Sequence, residues 1–253
     1  MKKNTKTTRL FMSAALAAVA CLGQAAEIRV LSAAAVQVPL TEVVARYEKE
    51  SGDKVLVEYS TAGGVDAKLK EGYQADLVIS DRQRLEALAT QRVLPSGSPR
   101  TLGVVQIGVA VRAGGKRPDI ASVEGFKASL LRADSVAYGD PPKGSTTGVH
   151  FAKLLQQMGI AEAIRPAAQL APNGLAVMKL VDEGKAELGI TQISEILHVS
   201  PGTLVGPLPQ ELQLKTSYAA APGTGPEQEG AAKLLDALSS ARAKEDFKHA
   251  GFD

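Results

Sequence analysis

Strand and helix alternate from Glu27 onward, and small residues fill the junctions between them. Glu27–Leu31 is a short apolar strand that runs into Ser32-Ala33-Ala34-Ala35. Pro39 suits the first turn of a helix. Leu40, Val43, Val44 and Tyr47 follow at helical spacing, and Gly52 supplies the stop. Val55–Tyr59 reads as a second strand, and Ser60-Thr61-Ala62-Gly63-Gly64 turns it into a helix marked by Val65 and Leu69. Ala75–Ser80 is a third strand, and Arg82–Ala89 a third helix. Repeated βα units dictate a parallel sheet flanked by helices.

The grammar then changes. Val104–Val111 is a long apolar strand with no helix directly after it, only the loop Ala113–Pro118. A second βα series begins at the strand Ser135–Tyr138. A loop from Gly139 to Gly148 leads to a helix carrying Val149, Ala152, Leu155 and Met158. Val177, Leu180 and Val181 mark another helix, Glu187–Thr191 a strand and Leu212–Ala220 a strand. Ala231, Leu234, Leu235 and Leu238 mark an amphipathic helix, and Lys244–Phe252 a last short one. The expectation is an α/β chain of two Rossmann-like lobes, joined by crossovers.

The first 25 residues stand apart. Lys2, Lys3, Lys6 and Arg9 precede an uncharged run from Leu10 to Leu22, and Gly23-Gln24-Ala25 offers a cut after Ala25. That layout is a secretory signal peptide, too short in its apolar part to span a membrane. Ala18-Val19-Ala20-Cys21 offers a weaker alternative, a lipoprotein site with acylated Cys21. The whole chain carries a formal charge of +2, and removing the four leader cations leaves −2. The basic balance is therefore a leader effect and not a nucleic-acid footprint. Cys21 is the only cysteine, so the exported chain forms no internal disulfide. Tryptophan is absent, which speaks against a site that stacks sugars on broad aromatic faces.

Three loops, Ser32–Gln37, Ser60–Gly64 and Lys143–Gly148, join the end of a strand to the start of a helix. Ligands of parallel sheets sit at such ends. Free N–H groups and partial positive charge there suit anions. The alternative is that each Ser or Thr only caps its own helix. The stretch from Gly139 to Ser145 superficially resembles a nucleotide-phosphate loop, but Ser145 stands where that loop needs Lys. His150, His198 and His249 are not spaced as a metal pair. Asp81, Asp140 and His150 are the candidates for an acid or base if the chain is an enzyme.

Four segments together resemble the periplasmic molybdate-binding proteins of ABC importers. They are Val30–Ala35, Gly72–Ser80, Tyr138–Pro141 and Glu187–Ile190. The resemblance implies a type II periplasmic-binding-protein fold, with two α/β lobes, a two-strand hinge and a ligand in the cleft. Residues 27–108 with 215–253 would form one lobe and 109–214 the other. It also implies a monomer without a cofactor that captures a small anion and delivers it to a permease in the inner membrane. In that family two Ser hydroxyls, backbone groups and a Tyr hold the oxyanion. Here Ala35 stands at the first Ser, and Ala62 or Gly63 near the second, with Ser32 and Thr61 beside them. Ser145, Thr146 and Thr147 fall in the third loop, and Asn173 and Gly174 near the fourth. Gln192 replaces the Tyr. The implied ligand is an oxyanion such as molybdate or tungstate; the lost hydroxyls make a small organic carboxylate the alternative.

Overall fold

The computed structural model describes residues 25–253. The leader, with its cleavage site and Cys21, lies almost wholly outside them. The chain runs β1 (Glu27–Ala33), α1 (Gln37–Ser51), β2 (Lys54–Ser60), α2 (Ala62–Lys70), β3 (Leu77–Asp81) and α3 (Arg82–Thr90). It continues through β4 (Arg100–Val111), α4 (Val123–Arg132), β5 (Val136–Gly139), α5 (Thr146–Gln157), α6 (Ala161–Ile164) and β6 (Ala168–Ala171). The remainder is α7 (Gly174–Asp182), β7 (Leu188–Gln192), α8 (Ile193–Val199), β8 (Leu204–Pro207), β9 (Lys215–Pro222), α9 (Gln228–Leu238) and α10 (Ala241–His249).

The strands form one continuous path, ordered β2-β1-β3-β9-β4-β7-β5-β6. The outer groups β2-β1-β3 and β7-β5-β6 are each parallel. The two central strands, β9 and β4, run antiparallel to their neighbours and to each other. β4 belongs to both halves. Its residues 100–106 pair with β9, and residues 107–111 pair with β7. The change of partner falls between Gln106 and Ile107. There the Gln213 side chain accepts from Ile107 N–H at 2.9 Å and donates to Ile107 C=O at 3.0 Å. The α/β class and the two-lobed layout with two linking strands follow from this path.

Each half buries its own core. Leu40, Val43, Leu77 and Ile79 pack with Leu234, Phe247 and Phe252, so α9 and α10 return to cover β1 and β3. Val109, Phe126, Val136, Phe151 and Ile190 form the core of the other half. Asp76, 1% exposed, ties the first half together. Its carboxylate accepts from Arg29 N–H at 2.7 Å and from Glu227 N–H at 2.8 Å, joining β1 to the start of α9.

Some elements differ from the sequence expectation. α4, α6, β6, α8 and β8 are additional. The buried face of α5 is Phe151, Leu154 and Leu155, and Val149 is 49% exposed. The periodicity at Val149 belongs to the solvent side, because Thr147 and Gly148 take the inward positions of the first turn.

Candidate functional site

The carboxyl ends of β1, β2 and β7, and the loops that follow β5 and β6, line one cavity of about 30 Å³. Its wall includes Ala33, Ala34, Ala35, Ser60, Thr61, Ala62, Ser145, Thr146, Thr147, Asn173, Gly174, Gln192, Glu195 and Tyr218. Of the residues singled out in the sequence, Ala35, Thr61, Ala62, Ser145, Thr146, Thr147, Asn173, Gly174 and Gln192 come together here. Ser32 and Gly63 do not line it. Ser32 is buried within β1 and donates to its neighbour's carbonyl, Ala33, at 3.1 Å. Gly63 sits beyond the cavity, where the two halves touch.

α2, α5 and α7 begin at this wall, and the 3-10 turn Ala34–Val36 that precedes α1 touches it through Ala34 and Ala35. Capping accounts for much of the polar chemistry at those starts. Thr61, Ser145 and Asn173 accept from Gly64, Gly148 and Ala176 N–H, at 3.0, 3.2 and 2.9 Å. The capping role expected of a Ser or Thr at a helix start is therefore present at Thr61 and Ser145 and absent from the first loop, while Asn173 caps α7 in the same way, each cap worth about 1 kcal/mol. The 3-10 turn Ala34–Val36 that leads into α1 has no side-chain cap. Among the described residues no lysine or arginine lines the space.

Two polar atoms on the wall lack a partner, Thr146 Oγ1 and Gln192 Oε1. The Gln192 residue is 2% exposed, and its Nε2 donates to the Tyr218 hydroxyl at 3.0 Å. Sequence reasoning missed Tyr218, which reaches the site from β9. A phenol thus stands beside Gln192 after all, supplied by a different strand. Burial, and then the charge of Glu195, hold that phenol protonated.

Glu195 was also missed. It is 6% exposed and accepts on Oε2 from the Thr191 hydroxyl and from Gln192 N–H, the latter at 3.3 Å. Reaching back to the residue that opens its helix is ordinary capping chemistry. Its position is not ordinary. A methyl group on Gly174 would lie 1.8 Å from Glu195 Oε2, so the carboxyl packs directly against the start of α7. Burial pushes this carboxyl up, while the Thr191 and Gln192 bonds lower it by less.

The three residues offered for catalysis lie elsewhere. Asp81 caps α3 by accepting from Gln83 N–H at 2.8 Å. His150 bonds the Leu212 carbonyl at 2.8 Å, outside the cavity. Asp140 opens the short turn before Gly144 and is not on the wall. Among the described residues no cluster of His, Cys, Asp and Glu is placed to hold a metal ion, and no helix is long and apolar enough to cross a membrane.

Bonds cross the cleft around the cavity. Thr61 donates to the Lys143 carbonyl at 2.6 Å, Gly63 N–H to the Gly144 carbonyl at 3.1 Å, and Ser194 to the Ala35 carbonyl at 3.0 Å. They hold the two halves shut over the cavity.

Comparison with known proteins agrees with this architecture. Residues 28–253 match the family model described as bacterial extracellular solute-binding protein. A Pseudomonas protein named aconitate isomerase is 30% identical, covering 88% of this chain and 86% of that protein. The molybdate-binding protein ModA of Escherichia coli K12 is 26% identical over 98% of each chain. The Azotobacter vinelandii periplasmic molybdate-binding protein superposes with a TM-score of 0.75 at 17% identity, covering 89% of this chain and 98% of that one. That last likeness is one of fold, the two-lobed periplasmic-binding type.

Proposed function

The chain belongs to the bacterial extracellular solute-binding protein family, and from that premise we propose that it is exported to the periplasm and captures a small anion for an ABC importer. One observation carries this reading: three helices, and the 3-10 turn that leads into α1, start at a cavity that no cation lines among the described residues. Such a site holds an anion by amide donors and aligned dipoles, without a fixed countercharge. The closed contacts at Thr61, Gly63 and Ser194 support capture by hinge closure. The lobes divide at 108/109 and 214/215, next to the change of partner in β4. The permease and the monomeric state are part of the same proposal.

The cargo is a small oxyanion of the molybdate class or a small organic carboxylate. The hydroxyl absent at Ala35 favours the carboxylate. Thr61 is committed to Lys143, and the wall keeps Thr146, whose Oγ1 has no partner, and Ser60. A missing donor to a buried anion costs about 1–3 kcal/mol. Thermal-shift titration with molybdate, tungstate, sulfate and a set of small carboxylates tests this. A ligand at 100 times its Kd adds about 2.7 kcal/mol. A shift with a carboxylate alone supports the favoured cargo, one with molybdate alone restores the oxyanion, and none with any anion overturns capture.

A second reading is turnover in the same cavity, in place of binding alone. Glu195 favours it, as a buried carboxyl on the cavity wall able to move a proton, and so does the relative named aconitate isomerase. Incubation with each isomer of aconitate, followed by chromatography, separates the two. Recovery of the unchanged acid leaves binding alone; interconversion lost on Glu195→Gln establishes turnover.

A further inference from the structure

Among the described residues Glu195 is the one charged side chain on the cavity wall. Both of its hydrogen bonds end on Oε2, so Oε1 is the oxygen available to a ligand. Gln192 lines the same wall, and its Oε1 is buried and without a partner. Two residues with acceptor oxygens therefore belong to one cavity wall. An anion oxygen placed against an ionised carboxylate in a low-dielectric cavity is strongly repelled. A proton between the two oxygens turns the repulsion into a hydrogen bond.

Nothing around Glu195 removes that requirement. β7 presents Thr191, α7 presents Gly174 and Asn173, and the first loop presents Ala35. β9 presents Tyr218, whose hydroxyl stays protonated. On its own helix the other titratable group, His198, sits in the last turn, away from the cavity. Among the described residues no cation on the wall compensates the carboxylate.

We propose that Glu195 and the captured anion share one proton. A fully deprotonated anion enters the cleft together with a proton from solvent, whereas an anion bearing its own hydroxyl enters without one. In the first case the proton is taken from water or buffer onto Glu195 Oε1, and the neutral acid donates to the anion. In the second, the ligand hydroxyl donates to Glu195 or to Gln192 Oε1. No covalent bond forms or breaks in either ligand. Glu195 thereby sets specificity between the two kinds of anion, and the inference rests on the capture reading above.

Isothermal titration in two buffers of different ionisation enthalpy, from about pH 5.5 to about 8.5, counts the protons. The probes are molybdate, sulfate, and small carboxylates paired with their α-hydroxy counterparts. Each bound anion lacking a hydroxyl should take up about one proton where free Glu195 is ionised, and its Kd should rise about tenfold per pH unit there. The α-hydroxy partners should show neither effect. Glu195→Gln keeps the shape and supplies a permanent N–H, so proton uptake should vanish and the Kd should become flat with pH. A deprotonated anion that binds the unaltered protein with no proton uptake and a pH-independent Kd overturns the inference, whatever the variant does. If no anion binds at any pH, the capture reading falls first and takes this one with it.

Discussion

Gly63 and Gly144 meet backbone to backbone across the cleft. Gly63 N–H donates to the Gly144 carbonyl at 3.1 Å, and a methyl on Gly63 would lie 2.6 Å from the Gly144 Cα. Backbone cannot swing aside as a flexible side chain would. Gly63→Ala should therefore oppose closure and leave each half intact. Overpacking of this kind costs about 1–3 kcal/mol, so the Kd of whichever anion binds should rise about tenfold or more. The Tm of the ligand-free protein should hardly move. An unchanged Kd by calorimetric titration would mean that binding does not require this contact.

Asp76 carries a larger share of stability than its position in a loop suggests. Asp76→Ala strands the Arg29 and Glu227 amides, and each buried unsatisfied donor costs about 1–3 kcal/mol. The Tm should drop by roughly 5–15 °C in a chain of this size. Asp76→Asn, which keeps an acceptor, should lose less. Thermal melts of both variants check the order.

Glu195 also sets a pH dependence in the empty protein. Its folded carboxyl is raised above the unfolded one, so the folded state holds the proton more tightly. That stability is complete below the unfolded value, about pH 4.3, and is lost as pH rises through the folded value. Glu195→Gln removes the loss. The Tm advantage of the variant should grow from acid to neutral and alkaline pH, and a difference independent of pH would show that the carboxyl does not titrate abnormally.

Gln213 pins the point where β4 changes partner. Gln213→Ala leaves the N–H and C=O of Ile107 without their side-chain partner. Loss of about 1–3 kcal/mol is expected, with faster amide exchange concentrated at Ile107. Hydrogen-exchange mass spectrometry of the segment containing Ile107 checks it.

Much of the frame was legible because its signals are local. Gly52 closes α1 in the left-handed conformation (φ 81°), as its place after a periodic helix demands. Thr61, Ser145 and Asn173 sit at helix starts, where their side chains cap. What stayed hidden was tertiary. α8 is a short run, Ile193–Val199, that merges in sequence with the apolar strand before it. With that helix unseen, Glu195 had no reason to be inside. Tyr218 alternates within a strand like any other half-buried residue, and only the pairing of β9 with β3 and β4 carries it to Gln192. α4 opens after a loop rich in Gly and Pro, and Ser129 interrupts its buried stripe.

The path of the sheet also fixes an order of assembly on the ribosome. The half that holds β1, β2 and β3 is begun first and completed last, because it needs β9 for a neighbour and α9 and α10 for its core. The half that holds β5, β6 and β7 draws its core from one stretch, from Ile107 in β4 to Leu212 just after β8, and can bury its own apolar residues as it emerges. Until α9 and α10 arrive, Leu40, Val43, Leu77 and Ile79 lack their cover. Nascent chains stalled after β8 should therefore be the ones that chaperones hold, with one half already protected from proteolysis and the other still open.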